Sequence, residues 1–200
     1  DKIVIDNDGV INPNDLCTVL RNARTADIEI SSGNPYYSVY DGIVYNRDRT
    51  FLFGCPLERT GKVVIPDGVK EINGAAFSGC SKITVIVVPD SVSEIGKSVF
   101  SSTGIKSFTL GIGIDSISES MFSSCSDLTD IKIPAHIKKI GKYAFTGINI
   151  HSVELPEGLA EIDARAFVFN PDADYATKVV LPLSLRKLNE GSFYGVKHIV

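Results

Sequence analysis

The chain has 200 residues, 44% apolar and 22% charged, a composition that excludes a disordered polymer and is large enough for one domain or one elongated array. Its formal charge of −4, with no basic cluster longer than Lys138-Lys139, excludes the electrostatic footprint of a nucleic-acid or acidic-membrane binder. No apolar run approaches the roughly 18 residues of a membrane span, so no membrane insertion of this chain is expected.

At the N-terminus, DKIVIDNDGV lacks the apolar core of a signal peptide, which is compatible with a targeting segment removed ahead of Asp1. Asn12 followed by Pro13 is a cap and first-turn pair, and Leu16, Val19, Leu20 and Ala23 follow at i, i+3, i+4 and i+7. The spacing predicts one amphipathic helix over 13–23. ADIEIS supplies a strand. SVYDGIVYNRDRTFLFGCP carries two turn signals, Asp41-Gly42 and Asn46-Arg47-Asp48, between aromatic runs, and predicts a hairpin. Tyr36, Tyr37, Tyr40, Tyr45, Phe51 and Phe53 belong to this segment either as a small core, the favoured reading, or as exposed ligand contacts. Residues 1–60 are thus expected to form an N-terminal helix and hairpin cap on an array spanning 61–200.

The array declares itself from IPDGVKEINGAAFSGC, residues 65–80. Phenylalanine recurs at 77, 100, 122, 145, 167 and 193, and eleven residues before each lie Pro66, Pro89, Gly111, Pro134, Pro156 and Pro182. Gly111 alone departs from proline. Counted from this slot, position +3 (Val69, Val92, Ile114, Ile137, Leu159, Leu185) and position +6 (Ile72, Ile95, Ile117, Ile140, Ile162, Leu188) are wholly aliphatic. Positions −1 and −3 are apolar as well, and alternate with mostly polar residues as in a half-buried strand. A unit of 22 to 26 residues cannot bury its own apolar side, but stacked units bury a continuous core.

The expected fold is therefore an α/β-type solenoid of about six coils, mostly strand. Position +7 holds Asn73, Gly96, Ser118, Gly141, Asp163 and Asn189, residue types that cap helices, so a single helical turn is expected to carry each phenylalanine inward. With strands about 4.8 Å apart, six coils span roughly 30 Å.

LTDIKIPAHIKKIGKYAFTGI from Leu128 and ITVIVVPDSVSEIGKSVFSST from Ile83 fit LxxLxLPxxLxxIxxxAFxxC, and over about 60–200 the chain resembles the BspA-like, Treponema-type class of leucine-rich repeat. NPYYSVYDGIVYNRDRTFLFGCPLERTGKVVIP is similar to the hairpin that precedes the repeats in such proteins. The resemblance implies a secreted or cell-surface protein, extracellular in location, that adheres to host proteins or other cells. Gly111 and the longer fifth interval, FVFNPDADYATKVVLP, depart from the pattern locally.

Catalytic and metal constellations are lacking in the pattern. Cys80 and Cys125 share a packing column two coils apart, roughly 10 Å, beyond the Cα spacing of about 4.4–6.8 Å that a disulfide tolerates. Cys17 and Cys55 could pair within the cap or remain free. His136, His151 and His198 occupy different columns, no GxSxG is present, and no cofactor motif occurs. Asp6–Gly9 and Asn170–Asp174 have calcium-like acids but not the spacing of an EF-hand, which favours acidic turns.

What remains is surface. The outward strand positions are Lys62, Val85, Ser107, Asp130, Ser152 and Lys178 at −4, and Val64, Val87, Thr109, Lys132, Glu154 and Val180 at −2. This is the candidate face for a protein or cell-surface partner, against the plainer alternative of a solvated sheet with Lys132 and Glu154 as a cross-strand ion pair. Self-association through the final coil, Gly191–Val200, is the alternative partnership.

Overall fold

The computed structural model describes residues 2–6, 9–23, 25, 27–169, 178–196 and 198–200, with Lys178 and His198 as backbone only. Helix α1 is Pro13–Asn22; Asn12 Oδ1 accepts the Asn14 N–H at 2.9 Å, and Pro13 occupies the first turn, where no N–H is needed. Its buried face is Leu16, Cys17 and Leu20, while Val19, expected inside, is 55% exposed. The reason lies beneath it. A side chain at Gly54 would come within 3.3 Å of both Cys17 Sγ and Leu20 Cδ1, so the missing Cβ seats the helix over residues 17 and 20.

Strands Tyr37–Tyr40 and Ile43–Asn46 form the hairpin, joined by Asp41 and Gly42 at φ 49° and 72°, the doubly positive turn whose twist suits paired strands. Asn46 Oδ1 then accepts the Thr50 and Phe51 N–H groups and shapes the second turn. The next strand, Phe51–Gly54, pairs antiparallel with the hairpin and parallel with Glu71–Ile72, so cap and array share one sheet. Ile3–Ile5 and Ile28–Ile30 form a separate parallel pair. The aromatic residues divide: Tyr37 and Phe53 join Leu16 and Leu20 in a small core, Tyr45 joins the main core, and Tyr36 and Tyr40 are exposed.

The main core is a continuous column. Phe77, Phe100, Phe122, Phe145 and Phe167 are fully buried and Phe193 nearly so, with successive ring centroids 5.1 to 5.6 Å apart. The interplanar angle falls along the chain from 36° to 3°. Phe108, in a slot that is otherwise aliphatic, stacks 4.4 Å from Phe122.

The turn preceding each phenylalanine is not helical. Ala75, Ser98, Ser120, Tyr143, Arg165 and Gly191, all at position +9, have φ between 52° and 63°, a left-handed conformation no α-helical residue adopts. Alternate N–H groups then take different partners. In the first coil, Ala76, Ser78 and Cys80 donate three residues back within the turn, whereas Ala75, Phe77 and Gly79 donate to Lys97, Val99 and Ser101 of the next coil. The same inter-coil bonds recur at Ser98, Phe100 and Ser102, at Ser120, Phe122 and Ser124, and at Arg165, Phe167 and Phe169. Donors that an α-helix would use internally are spent on joining coils.

These turn bonds pass from coil to coil without a break, whereas the neighbouring ladder of two-residue strands is interrupted. Glu71–Ile72 pairs with Glu94–Ile95, and a second ladder runs from Ser116–Ile117 through Lys139–Ile140 and Glu161–Ile162 to Lys187–Leu188. Between Glu94–Ile95 and Ser116–Ile117 no pairing is made; there Ser118 Oγ donates to Gly96 O at 2.7 Å. Gly111 belongs to the same region. A Cβ at Gly111 would lie 2.3 Å from the Pro89 carbonyl, and one at Gly113 equally close to Asp90 O and Val92 O, so the third coil sits too near the second to admit proline in its slot.

Candidate functional site

The strand edge carries the predicted face. Gly61–Val64, Ile83–Val87 and Ser107–Thr109 form one parallel sheet, with Lys62, Val85 and Ser107 in register and Val64, Val87 and Thr109 in register beside them. Asp130–Lys132 and Ser152–Glu154 form a second, aligning Asp130 with Ser152 and Lys132 with Glu154. Val63, Ile86, Ile131, Val153 and Val179 point inward and are buried, as strand alternation requires. Lys62, Val64, Ser107, Thr109, Asp130, Lys132, Ser152, Glu154 and Val180 are exposed, and Val85 and Val87 half-buried. Lys178 keeps its place in a strand paired with His198–Ile199.

The two sheets do not join, so the face has two parts of different chemistry. The first is mainly β-branched, with Val64, Val85, Val87 and Thr109 beside Lys62 and Ser107. It runs into a groove of about 550 Å³ lined by Val64–Asp67, Val87–Asp90 and Thr109–Gly111. The second is polar: Lys132 Nζ lies 3.1 Å from Glu154 Oε2 with both side chains more than two-thirds exposed. Asp130 accepts from Ser152 Oγ at 2.6 Å and Thr129 Oγ1 at 3.0 Å, and these hydroxyls hold its carboxyl below the usual carboxylate range.

On the adjacent edge, Lys139 reaches Glu161 and Asp163 at 3.2 Å each, and Lys187 reaches Glu161 at 2.6 Å. Lys187 and then Lys139 push the Glu161 pKa down, and Glu161 followed by Asp163 raises that of Lys139. This network ties coils together.

All four cysteines are buried and free. Cys55 neighbours Cys80 rather than Cys17; both thiols approach Pro56 O, at 3.5 and 3.6 Å, and their mutual hydrogen bond and then burial push the Cys55 pKa up. Burial likewise raises Cys17 and Cys125, which keeps them as poorly nucleophilic thiols. Among the described residues no three His, Cys, Asp or Glu gather into a metal-binding set, and no helix is long and apolar enough to cross a membrane. The acidic stretch 170–174 and part of 6–9 lie outside the described residues.

A family model for the BspA type leucine rich repeat region matches residues 50–174 in six copies. The chain belongs to that family. No curated protein matches it. Among solved structures, the BspA-type array is similar to a leucine-rich repeat protein from Eubacterium ventriosum, at 24% identity and a TM-score of 0.72 over 98% of this chain and 58% of that one. It is similar also to the pneumococcal vaccine antigen PcpA, at 15% identity and 0.67 over 86% and 44%. A leucine rich cell surface protein from Faecalibacterium prausnitzii aligns at 22% identity and 0.66 over 90% and 46%. At these identities the likeness shows the fold, and the BspA-type chain spans about half the length of these neighbours.

Proposed function

We propose that the chain is a non-enzymatic, extracellular or cell-surface adhesion module whose strand face docks a protein ligand. The observation that carries this reading is the register of Val64, Val87 and Thr109 above the 550 Å³ groove, an apolar strip open to solvent on a rigid sheet. Apolar side chains held in line by a buried ladder present contact area without ordering cost, the condition for a protein-binding surface. The polar half, with Lys132 and Glu154, supplies a rim whose charges select orientation more than affinity. The surface location is supported by family membership and by the cell surface protein among the structural neighbours.

The test is adhesion of the purified chain to epithelial cell layers. Arginine at Val85 and Thr109 together, or charge reversal at Lys132 and Glu154 together, is expected to reduce capture while the melting temperature stays within a few degrees of the parent. Equal capture by both double variants would remove the strand face as the docking site.

A further inference from the structure

Position +9 of every coil is left-handed, a conformation that disfavours any side chain by roughly 1–2 kcal/mol and large ones most. The first three coils place Ala75, Ser98 and Ser120 there. The next two place Tyr143 and Arg165, neither of them buried in the core. Three positions on, Ser78, Ser101 and Ser123 give way to Thr146, Val168 and Tyr194. A strained backbone site filled by a large surface side chain that packs no core points to a role other than stability.

These residues converge. Tyr143, Thr146, Arg165, Val168 and Tyr194 line a cleft of about 330 Å³, at the small end of the roughly 300–1,000 Å³ typical of ligand pockets. Tyr194 is 61% exposed. Lys142 Nζ lies over the Tyr143 ring, 4.8 Å from its centroid, outside the cleft lining, which leaves Arg165 as the cation that lines the cleft. The Arg165 backbone is engaged, its N–H donating to Glu190 O and its carbonyl accepting from Thr146 Oγ1 at 3.0 Å. Its guanidinium forms no ion pair among the described residues, and the neighbouring Asp163 is already held by Lys139 and Asn189.

A free guanidinium is matched in geometry by a carboxylate, which it takes with two parallel hydrogen bonds. Tyrosine rings flanking it offer flat apolar faces with hydroxyls at their rims, suited to the C–H face and hydroxyls of a pyranose. We propose that the cleft between Tyr143 and Tyr194 binds a carboxylate-bearing sugar unit, its ring stacked on tyrosine and its carboxylate paired with Arg165. The site lies on the turn edge and does not depend on the strand-face reading.

Saturation-transfer NMR and titration calorimetry with N-acetylneuraminic acid and glucuronic acid test it, with galactose, acetate and a dipeptide as comparison probes. Expected is transfer to the ring protons of at least one acidic sugar, with affinity falling at least about tenfold in Arg165→Gln and in Tyr194→Ala, partial retention in Arg165→Lys, and unchanged melting in all three. Galactose bound as well as the acidic sugars, acetate or the dipeptide bound as tightly, no transfer to either acidic sugar, or binding indifferent to Arg165→Gln would each overturn the assignment.

Discussion

The first three coils and the last three share one backbone and one phenylalanine column yet present opposite exteriors. On the strand edge, Val64, Val85, Val87 and Thr109 give way to Asp130, Lys132, Ser152 and Glu154. On the turn edge, Ala75, Ser98 and Ser120 give way to Tyr143 and Arg165 without a change in φ. The conformation of a coil is thus set by its bonds to the next coil and by its inward residues, and outward slots are free to specialise even where the backbone is strained.

The sharpest break of that comparison is to remove what both halves share. Phe122→Ala, at the centre of the ring column and also under Phe108, is expected to destabilise by about 3–5 kcal/mol, lowering the melting temperature on the order of 10 °C. A loss no larger than that of a surface substitution, read by calorimetry, would mean the column does not join the halves.

Next in size is Gly111→Pro, which restores the repeat pattern but drives atoms into the Pro89 carbonyl. It should cost about 1–3 kcal/mol in chemical denaturation, and a stabilised variant would contradict the close approach of the second and third coils. Smaller, and opposite in sign, is Tyr143→Gly: relief of left-handed strain less the added backbone entropy gives a gain of up to about 1 kcal/mol. Ser98→Gly should gain less, because serine crowds its backbone less. If Tyr143→Gly instead loses stability, the tyrosine packs structurally and the contrast between halves weakens.

The smallest effect is electrostatic. Glu161 has a folded pKa below its ordinary value, so its stabilisation is present above the ordinary carboxylate range and disappears as pH falls through the folded value. Lys139, raised, contributes below its ordinary value and loses this as pH rises through the folded one. Glu161→Gln should therefore flatten the acid limb of the melting profile, and a limb as steep as the parent's would mean that the Lys139 and Lys187 contacts do not stabilise the last coils.

The period, the inward columns and the outward face were legible because each depends on residue type alone: aliphatic at +3 and +6, phenylalanine at +11. The turn was misread because Asn73, Ser118 and Asp163 look like caps, and nothing in Tyr143 or Arg165 signals a positive φ that the neighbouring coil imposes. Gly111 was visible as an exception, but its cause is a distance between coils that no single coil encodes. Val19 lost its place to Cys17 for a similar reason, a glycine on the opposing strand. The cleft is not encoded in the inward columns; the change from serine to Thr146, Val168 and Tyr194 in one outward column is its signal.

The turn edge has one more property. Because only alternate peptide units there lie along the stacking direction, with every N–H facing the later coil and every C=O the earlier one, their moments of about 3.5 D each add instead of cancelling as in an ordinary sheet. That strip is electrically polar along the stacking direction, positive toward the later coils, while on the neighbouring ladder Ser93, Gly96, Gly141 and Asp163 donate to the earlier coil and offset part of it. Two such strips meeting head to tail would extend one another's field, and two meeting head to head would oppose it.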